Sequence, residues 1–283
     1  MVHEIFKHAL ARTYGLVKSQ HPPEGRRKWR LRALYASWPT LGSLNADGTI
    51  ASDTSFESDT DPLDEFLEDD ALGILIRTDF TNDEAWNTFI QKLQESQKEL
   101  LSDLTGDGAD APADGNANAP VAGPSTEAAD EESDSLSETP DIIKVLDATD
   151  PADRARLSNI SNIAALRLFN DVDVRPTPAP PAGTKRISPP NPLIDQTGWQ
   201  EIYTGKTLWI YDARSNTDEC ARLISQQPDF YGTATGDSWR ARAAHIPELQ
   251  FNMVYQGMKI DFNGMDKYDY NERTRNVAES VAL

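Results

Sequence analysis

Three short apolar runs constrain the fold more than any other feature of the chain: Leu72-Gly73-Ile74-Leu75-Ile76, Ile142-Ile143-Lys144-Val145-Leu146 and Thr207-Leu208-Trp209-Ile210-Tyr211. Each is too short for a buried helix. Each is nearly continuous rather than alternating, as expected of strands covered on both faces in a parallel sheet. A helix pattern separates the first two runs. Thr81-Asn82-Asp83-Glu84 reads as a capping box, with Thr81 at the N-cap and Glu84 at N3. Trp86, Phe89, Ile90, Leu93, Leu100, Leu101 and Leu104 then mark one helical face, with Gln97 its one polar position. Between the second and third runs, Asp150-Pro151 reads as N-cap and N1, and Leu157, Ile160, Ala164 and Leu168 form a stripe. A third helix is expected from Thr217-Asp218-Glu219 through Cys220, Leu223 and Ile224. The expected class is α/β: a small, mostly parallel sheet flanked by helices, βαβαβα, with a strand-rich C-terminus. That end holds an alternating strand at Trp239–Ala243, a break at His245–Glu248, and apolar pieces at Phe251–Tyr255 and Met258–Phe262.

Charge divides the 283-residue chain, whose net charge is -19. Residues 1–43 carry eight Lys/Arg against two Asp/Glu, and residues 44–150 carry four against 28. Residues 1–43 therefore read as a basic helical arm, broken at His21–Gly25, and residues 44–70 as an acidic linker. Residues 71–270 read as one α/β domain and 271–283 as a frayed tail. Two segments interrupt the domain. Residues 105–139 hold no basic residue and almost no large apolar one, so they cannot offset chain entropy by burial and read as a disordered insertion. Ser133, Ser135 and Ser137 within it are candidate phosphorylation sites. Residues 172–198 read as a proline-rich loop.

The near-neutral C-terminal half lacks the basic face of a nucleic-acid binder. One cysteine, Cys220, excludes an internal disulfide. No apolar run is long enough for a membrane span, and no secretory signal opens the chain. The expected compartment is intracellular, cytoplasmic first, with a mitochondrial alternative from the arginine-rich start. The basic arm is expected to dock on an acidic surface, either a protein partner's or the chain's own acidic block.

Leu75-Ile76-Arg77-Thr78-Asp79-Phe80, with Asp83 and Ala85-Trp86 after it, resembles the opening of an uncharacterised α/β domain family that is mostly bacterial with fungal relatives. Leu208–Asp212, Trp239–Arg242, Pro247-Glu248 and Phe251–Phe262 resemble its later part. The likeness covers about half the chain. It implies a compact α/β domain and no particular activity; the acidic and proline-rich insertions and the basic arm depart from the family pattern.

In open α/β sheets ligands gather beyond the carboxyl ends of the strands. The three runs end in Arg77-Thr78-Asp79, Asp147 and Asp212-Ala213-Arg214. If parallel and adjacent, they would bring Arg77, Asp79, Asp147, Asp212 and Arg214 together as a low-order site for Mg²⁺ or an oxyanion. The alternative is that these acids cap helices and the arginines tie loops. Gly232–Gly236 fits no phosphate-loop pattern. Cys220 beside Leu223 and Ile224 reads as a buried thiol, and His245 lacks a serine elbow. The expected function is a protein-interaction or ligand-binding module without catalysis and without a required cofactor. The alternative is a Mg²⁺-dependent or phosphate-binding enzyme working through the strand-end charges.

Overall fold

A computed structural model describes residues 2–43, 55–67, 70–105, 141–178, 190–228, 233–264 and 267–281. Helices α1 (Glu4–Gln20) and α2 (Arg26–Ser37) come first, then α3 (Ser55–Ser58) and a 3-10 turn at Asp64–Phe66. The central elements are β1 (Gly73–Arg77), α4 (Asp83–Thr105), β2 (Ile143–Leu146), α5 (Pro151–Leu157), α6 (Asn162–Phe169), β3 (Asp171–Pro176) and β4 (Trp199–Thr204). The chain closes with β5 (Thr207–Tyr211), α7 (Ser215–Asp218), β6 (Cys220–Ile224), β7 (Ser238–Arg242), α8 (Ile246–Tyr255) and α9 (Tyr270–Glu279).

The three apolar runs lie side by side in a five-stranded sheet of order β2-β1-β5-β6-β7. β1 is parallel to β2 and to β5, while β6 is antiparallel to both its neighbours. Four strands therefore run one way and β6 runs against them. β3 and β4 form a separate antiparallel pair.

Both faces of the sheet are covered, which explains the lack of alternation in the runs. Ile74, Ile76, Leu208 and Ile210 face one core, shared with Phe6, Leu10 and Tyr14 of α1, Leu34 of α2, and Leu166 and Phe169 of α6. Leu75, Trp209, Tyr211 and Leu223 face the other, shared with Trp86, Phe89 and Leu93 of α4 and Ile246 of α8. Burying one such large apolar side chain contributes about 1.5–3 kcal/mol. Gln97, the polar position in the α4 stripe, points inward: it accepts from Ile143 N at 3.0 Å and donates to Asp141 Oδ1 at 2.8 Å, tying α4 to the start of β2.

Several sequence expectations are corrected. The α4 cap is Asn82, whose Oδ1 accepts from Ala85 N at 3.0 Å; Thr81 turns back to Asp79 instead. Residues 220–224 are a strand, not a helix, because ladder pairing with β5 and β7 overrides the helical propensity of Cys-Ala-Arg-Leu-Ile. The expected strand-rich end is instead helical at Ile246–Tyr255: Pro247 begins a helix rather than breaking the chain. Beyond residue 270 the chain forms α9, docked through buried Glu272 and Asn276 rather than an apolar stripe. The proline-rich stretch contains β3 and an ordered turn at residues 190–198; residues 179–189 of it lie outside the described residues. The 157–168 stripe is two helices, split before Ser161, which caps α6.

The acidic linker and basic arm are likewise revised. Phe56 and Leu63 are buried in the core. Asp59, Asp61 and Asp64 pair with Lys18, Arg26 and Arg27. The arm's basic edge is therefore not simply solvated: Arg27 and Arg30 are buried, and α1 and α2 form part of the core. Residues 44–54 and 106–140, the latter holding nearly all of the expected insertion, lie outside the described residues. Among the described residues no helix is long and apolar enough to cross a membrane.

Candidate functional site

The strand-end charges are placed by β1, β2 and β5 at one end of the sheet, as expected, but they are matched among themselves. Arg77 is buried. It donates to Asp147 Oδ2 at 3.2 Å and to the Asp79 carbonyl at 3.0 Å, and it pairs with Asp83. Its guanidinium carbon lies 5.1 Å from the Phe80 ring centre and 5.0 Å from that of Trp86, a cation–π arrangement. The Arg-Thr-Asp-Phe…Ala-Trp motif is thus a latch that fastens the end of β1 to the start of α4. Thr78 completes it: its hydroxyl donates to the Tyr211 carbonyl at 2.8 Å and closes the seam between β1 and β5.

Asp79 and Asp212 do not share a site. Asp79 Oδ1 accepts from Thr81 N at 3.0 Å, Thr81 Oγ1 at 2.6 Å and Asn216 Nδ2 at 2.9 Å. Asp212 accepts a two-pronged bond from Arg240 at 2.9 and 3.0 Å, caps α7 through Ser215 N at 3.0 Å, and pairs with Arg222 at 3.2 Å. Burial opposes ionisation of Asp212, but the Arg240 hydrogen bonds and the charges of Arg222 and Arg240 prevail and hold its carboxyl below the usual carboxylate range. Asp79 is lowered likewise: its hydrogen bonds from Thr81 and Asn216 outweigh burial. Burial raises the Tyr211 hydroxyl to about 12, with Arg77 opposing and Asp79 and Asp212 reinforcing; it stays protonated and donates to Asn216. Arg214 lies on the surface and pairs with Asp218 at 3.1 Å. Among the described residues no group of three or more His, Cys, Asp and Glu is arranged to hold a metal ion.

A second buried network joins Arg167, Glu201, Tyr35 and Tyr203. Glu201 is fully buried, and it accepts from Tyr35 at 2.6 Å and from Tyr203. Arg167 donates to the Tyr35 oxygen at 2.6 Å and to the Ser280 carbonyl at 3.0 Å. Burial would disfavour its charge, but Glu201 and the two tyrosines reverse that and keep Arg167 firmly protonated.

Two clefts open where the start of α2, the Asp64–Phe66 turn, the end of β2, α5 and α6 meet. One cleft of about 200 Å³ is lined by Arg27, Lys28, Arg156 and Arg167 with Glu24 and Asp61. Another, of about 220 Å³, lies beyond the carboxyl end of β2. It has an apolar floor of Leu63, Phe66, Leu146, Leu157 and Phe169, and a rim of Asp147, Asp150, Asp153 and Arg156. Leu63 and Arg156 line both, so the clefts adjoin. Gly25 allows this geometry: a Cβ there would collide with Asp61, which caps α2 by accepting from Arg27 N at 3.0 Å.

Of the five strand-end residues, Asp147 alone lines either cleft. Its Oδ2 is held by Arg77, and its buried Oδ1 has no hydrogen-bond partner among the described residues. Lys28 and Arg156 escape a sequence search. Lys28 sits in a basic run without distinctive spacing, and Arg156 is one of two arginines on the short helix α5. Only the meeting of α2 with α5 makes them neighbours of one cleft.

No family model, curated protein or solved structure matches the chain, so the family likeness of residues 72–93 and 207–266 rests on those residues alone.

Proposed function

We propose that this protein is a non-catalytic binding module whose recognition surface is the paired cleft between α2, the Asp64–Phe66 turn, α5 and α6. One contrast carries the proposal. Arg77, Asp79, Asp147, Asp212 and Arg214 all pair or hydrogen-bond within the chain, whereas Lys28 and Arg156 at the cleft do neither among the described residues. Recognition sites commonly combine an apolar floor with a few polar groups that fix orientation. Leu63, Phe66, Leu146, Leu157 and Phe169 supply the floor, and Lys28, Asp153 and Arg156 supply the polar groups. The ligand class that fits is a protein segment with apolar and charged side chains in close succession.

Affinity capture with the full chain tests this. Partners retained by Arg214→Glu but lost with Arg156→Glu or Phe66→Asp are the expected result. Partners lost with Arg214→Glu and kept by both cleft variants would move recognition to the strand ends. A Mg²⁺-dependent rise in melting temperature that disappears in Asp212→Asn would argue for a cation site there instead.

A further inference from the structure

Resting on that function, we propose that the basic half of the paired cleft binds the phosphate of a phosphorylated peptide, with an apolar side chain of the same peptide in the adjoining half. Four cationic side chains line the cleft beside α2: Arg27 and Arg167 are committed to Asp61 and Glu201, and Lys28 and Arg156 face the opening. Its two carboxylates are already neutralised. Glu24 takes two bonds from Arg32, each at 2.7 Å, and Asp61 pairs with Arg27 at 2.7 Å. The Lys28 and Arg156 side chains are exposed and make no side-chain hydrogen bond or ion pair among the described residues, and Lys28 only helps the Arg32 bonds to lower the Glu24 carboxyl.

Two unmatched cations on one small cleft suit a dianion better than a lone carboxylate. A phosphate monoester carries about 1.5–2 negative charges near neutral pH and three strong acceptor oxygens. An arginine fork and a lysine point charge are the common means of holding it.

Size argues for a ligand that extends from the basic half into the adjoining one. At about 200 Å³ the cleft falls below the roughly 300–1,000 Å³ of a typical small-molecule site. The continuation over Leu63 to Phe66 and Phe169 gives the rest of a peptide an apolar seat.

The test is an affinity measurement on the full chain at fixed ionic strength. The probes are a degenerate pool of phosphoserine peptides with apolar residues after the phosphoserine, the same pool unphosphorylated, and inorganic phosphate. The phosphorylated pool should bind at least about ten-fold tighter, as charged hydrogen bonds of this kind imply. The combined Lys28→Ala and Arg156→Ala variant should abolish that ratio, and Phe66→Ala should weaken both pools. Equal binding of the two pools, or a ratio that survives the double variant, overturns the phosphate site. If the unphosphorylated pool still binds in a Phe66-dependent way, the binding module stands without it; if neither pool binds, both fall. Inorganic phosphate binding as tightly as the phosphopeptides overturns the peptide carrier.

Discussion

The carboxyl ends of β1 and β5 and the cleft beside α2 are both rich in charge, yet they are built in opposite ways. At the strand ends each charge has a close partner: Arg77 with Asp147 and Asp83, and Arg240 with Asp212 and Asp218. At the cleft Lys28 and Arg156 have none among the described residues. The difference is one of desolvation. Arg77 and Arg240 are nearly fully buried, where an unmatched charge costs several kcal/mol, so the fold persists only with the partners in place. Lys28 and Arg156 are exposed, so water tolerates them unpaired and leaves them free to meet a ligand. Density of charge alone therefore does not mark a site; charge without an internal partner beside a cavity is the better sign.

Breaking the strand-end network should have the largest effect. Arg240→Ala removes the two-pronged partner of Asp212 and leaves it to Arg222, and Asp218 to Arg214; denaturant unfolding should show a loss of about 3 kcal/mol. Arg214→Ala, at the exposed edge of the same cluster, should stay within about 0.5 kcal/mol of the parent. Equal losses would mean that the cluster is not organised around Arg240.

Acid should reveal the same asymmetry. The folded carboxyls of Asp212, Asp79 and Asp64 lie below their ordinary values, in each case because hydrogen bonds and nearby arginines or neighbouring donors outweigh burial. Their stabilisation is fully present above the unfolded value of about 4 and is lost as pH falls through the lower folded values. Carbon-13 NMR should find Asp212 still ionised at a pH where a free aspartate, at about 4, has begun to protonate. A normal Asp212 titration would remove Arg240 from its assigned role.

A smaller effect separates the two possible caps of α4. Asn82→Ala should cost about 1 kcal/mol by leaving the Ala85 amide without its side-chain acceptor. Thr81→Ala should cost less, since it removes only a hydroxyl bond to Asp79. The reverse order would restore the capping box expected from the sequence.

The smallest stability change is expected at the cleft. Lys28→Ala and Arg156→Ala should each melt within about 0.5 kcal/mol of the parent. A large loss at either position would make it a structural charge like Arg240 and remove the contrast.

Legibility of the site followed locality. The strand-end residues Arg77, Asp147 and Asp212 follow hydrophobic runs that can be read along the chain. Arg77 and Asp147 match each other across β1 and β2, whereas Asp212 is matched by Arg222 and Arg240, which face each other across β6 and β7 and are 18 residues apart in sequence. The cleft was less visible still, since it needs α2, the Asp64–Phe66 turn and α5 to meet, with α2 and α5 more than a hundred residues apart.

By itself the sequence determined the parallel core of β2, β1 and β5, the helix that follows β1, and the Asp150 cap of α5. Each depends on apolar periodicity or a cap within a few residues. Tertiary structure decided that residues 220–224 pair as a strand, that α9 docks through Glu272 and Asn276, and that the basic arm belongs to the core. A ladder partner, a buried polar contact and an ion pair are all supplied by distant parts of the chain, so local pattern carries no trace of them.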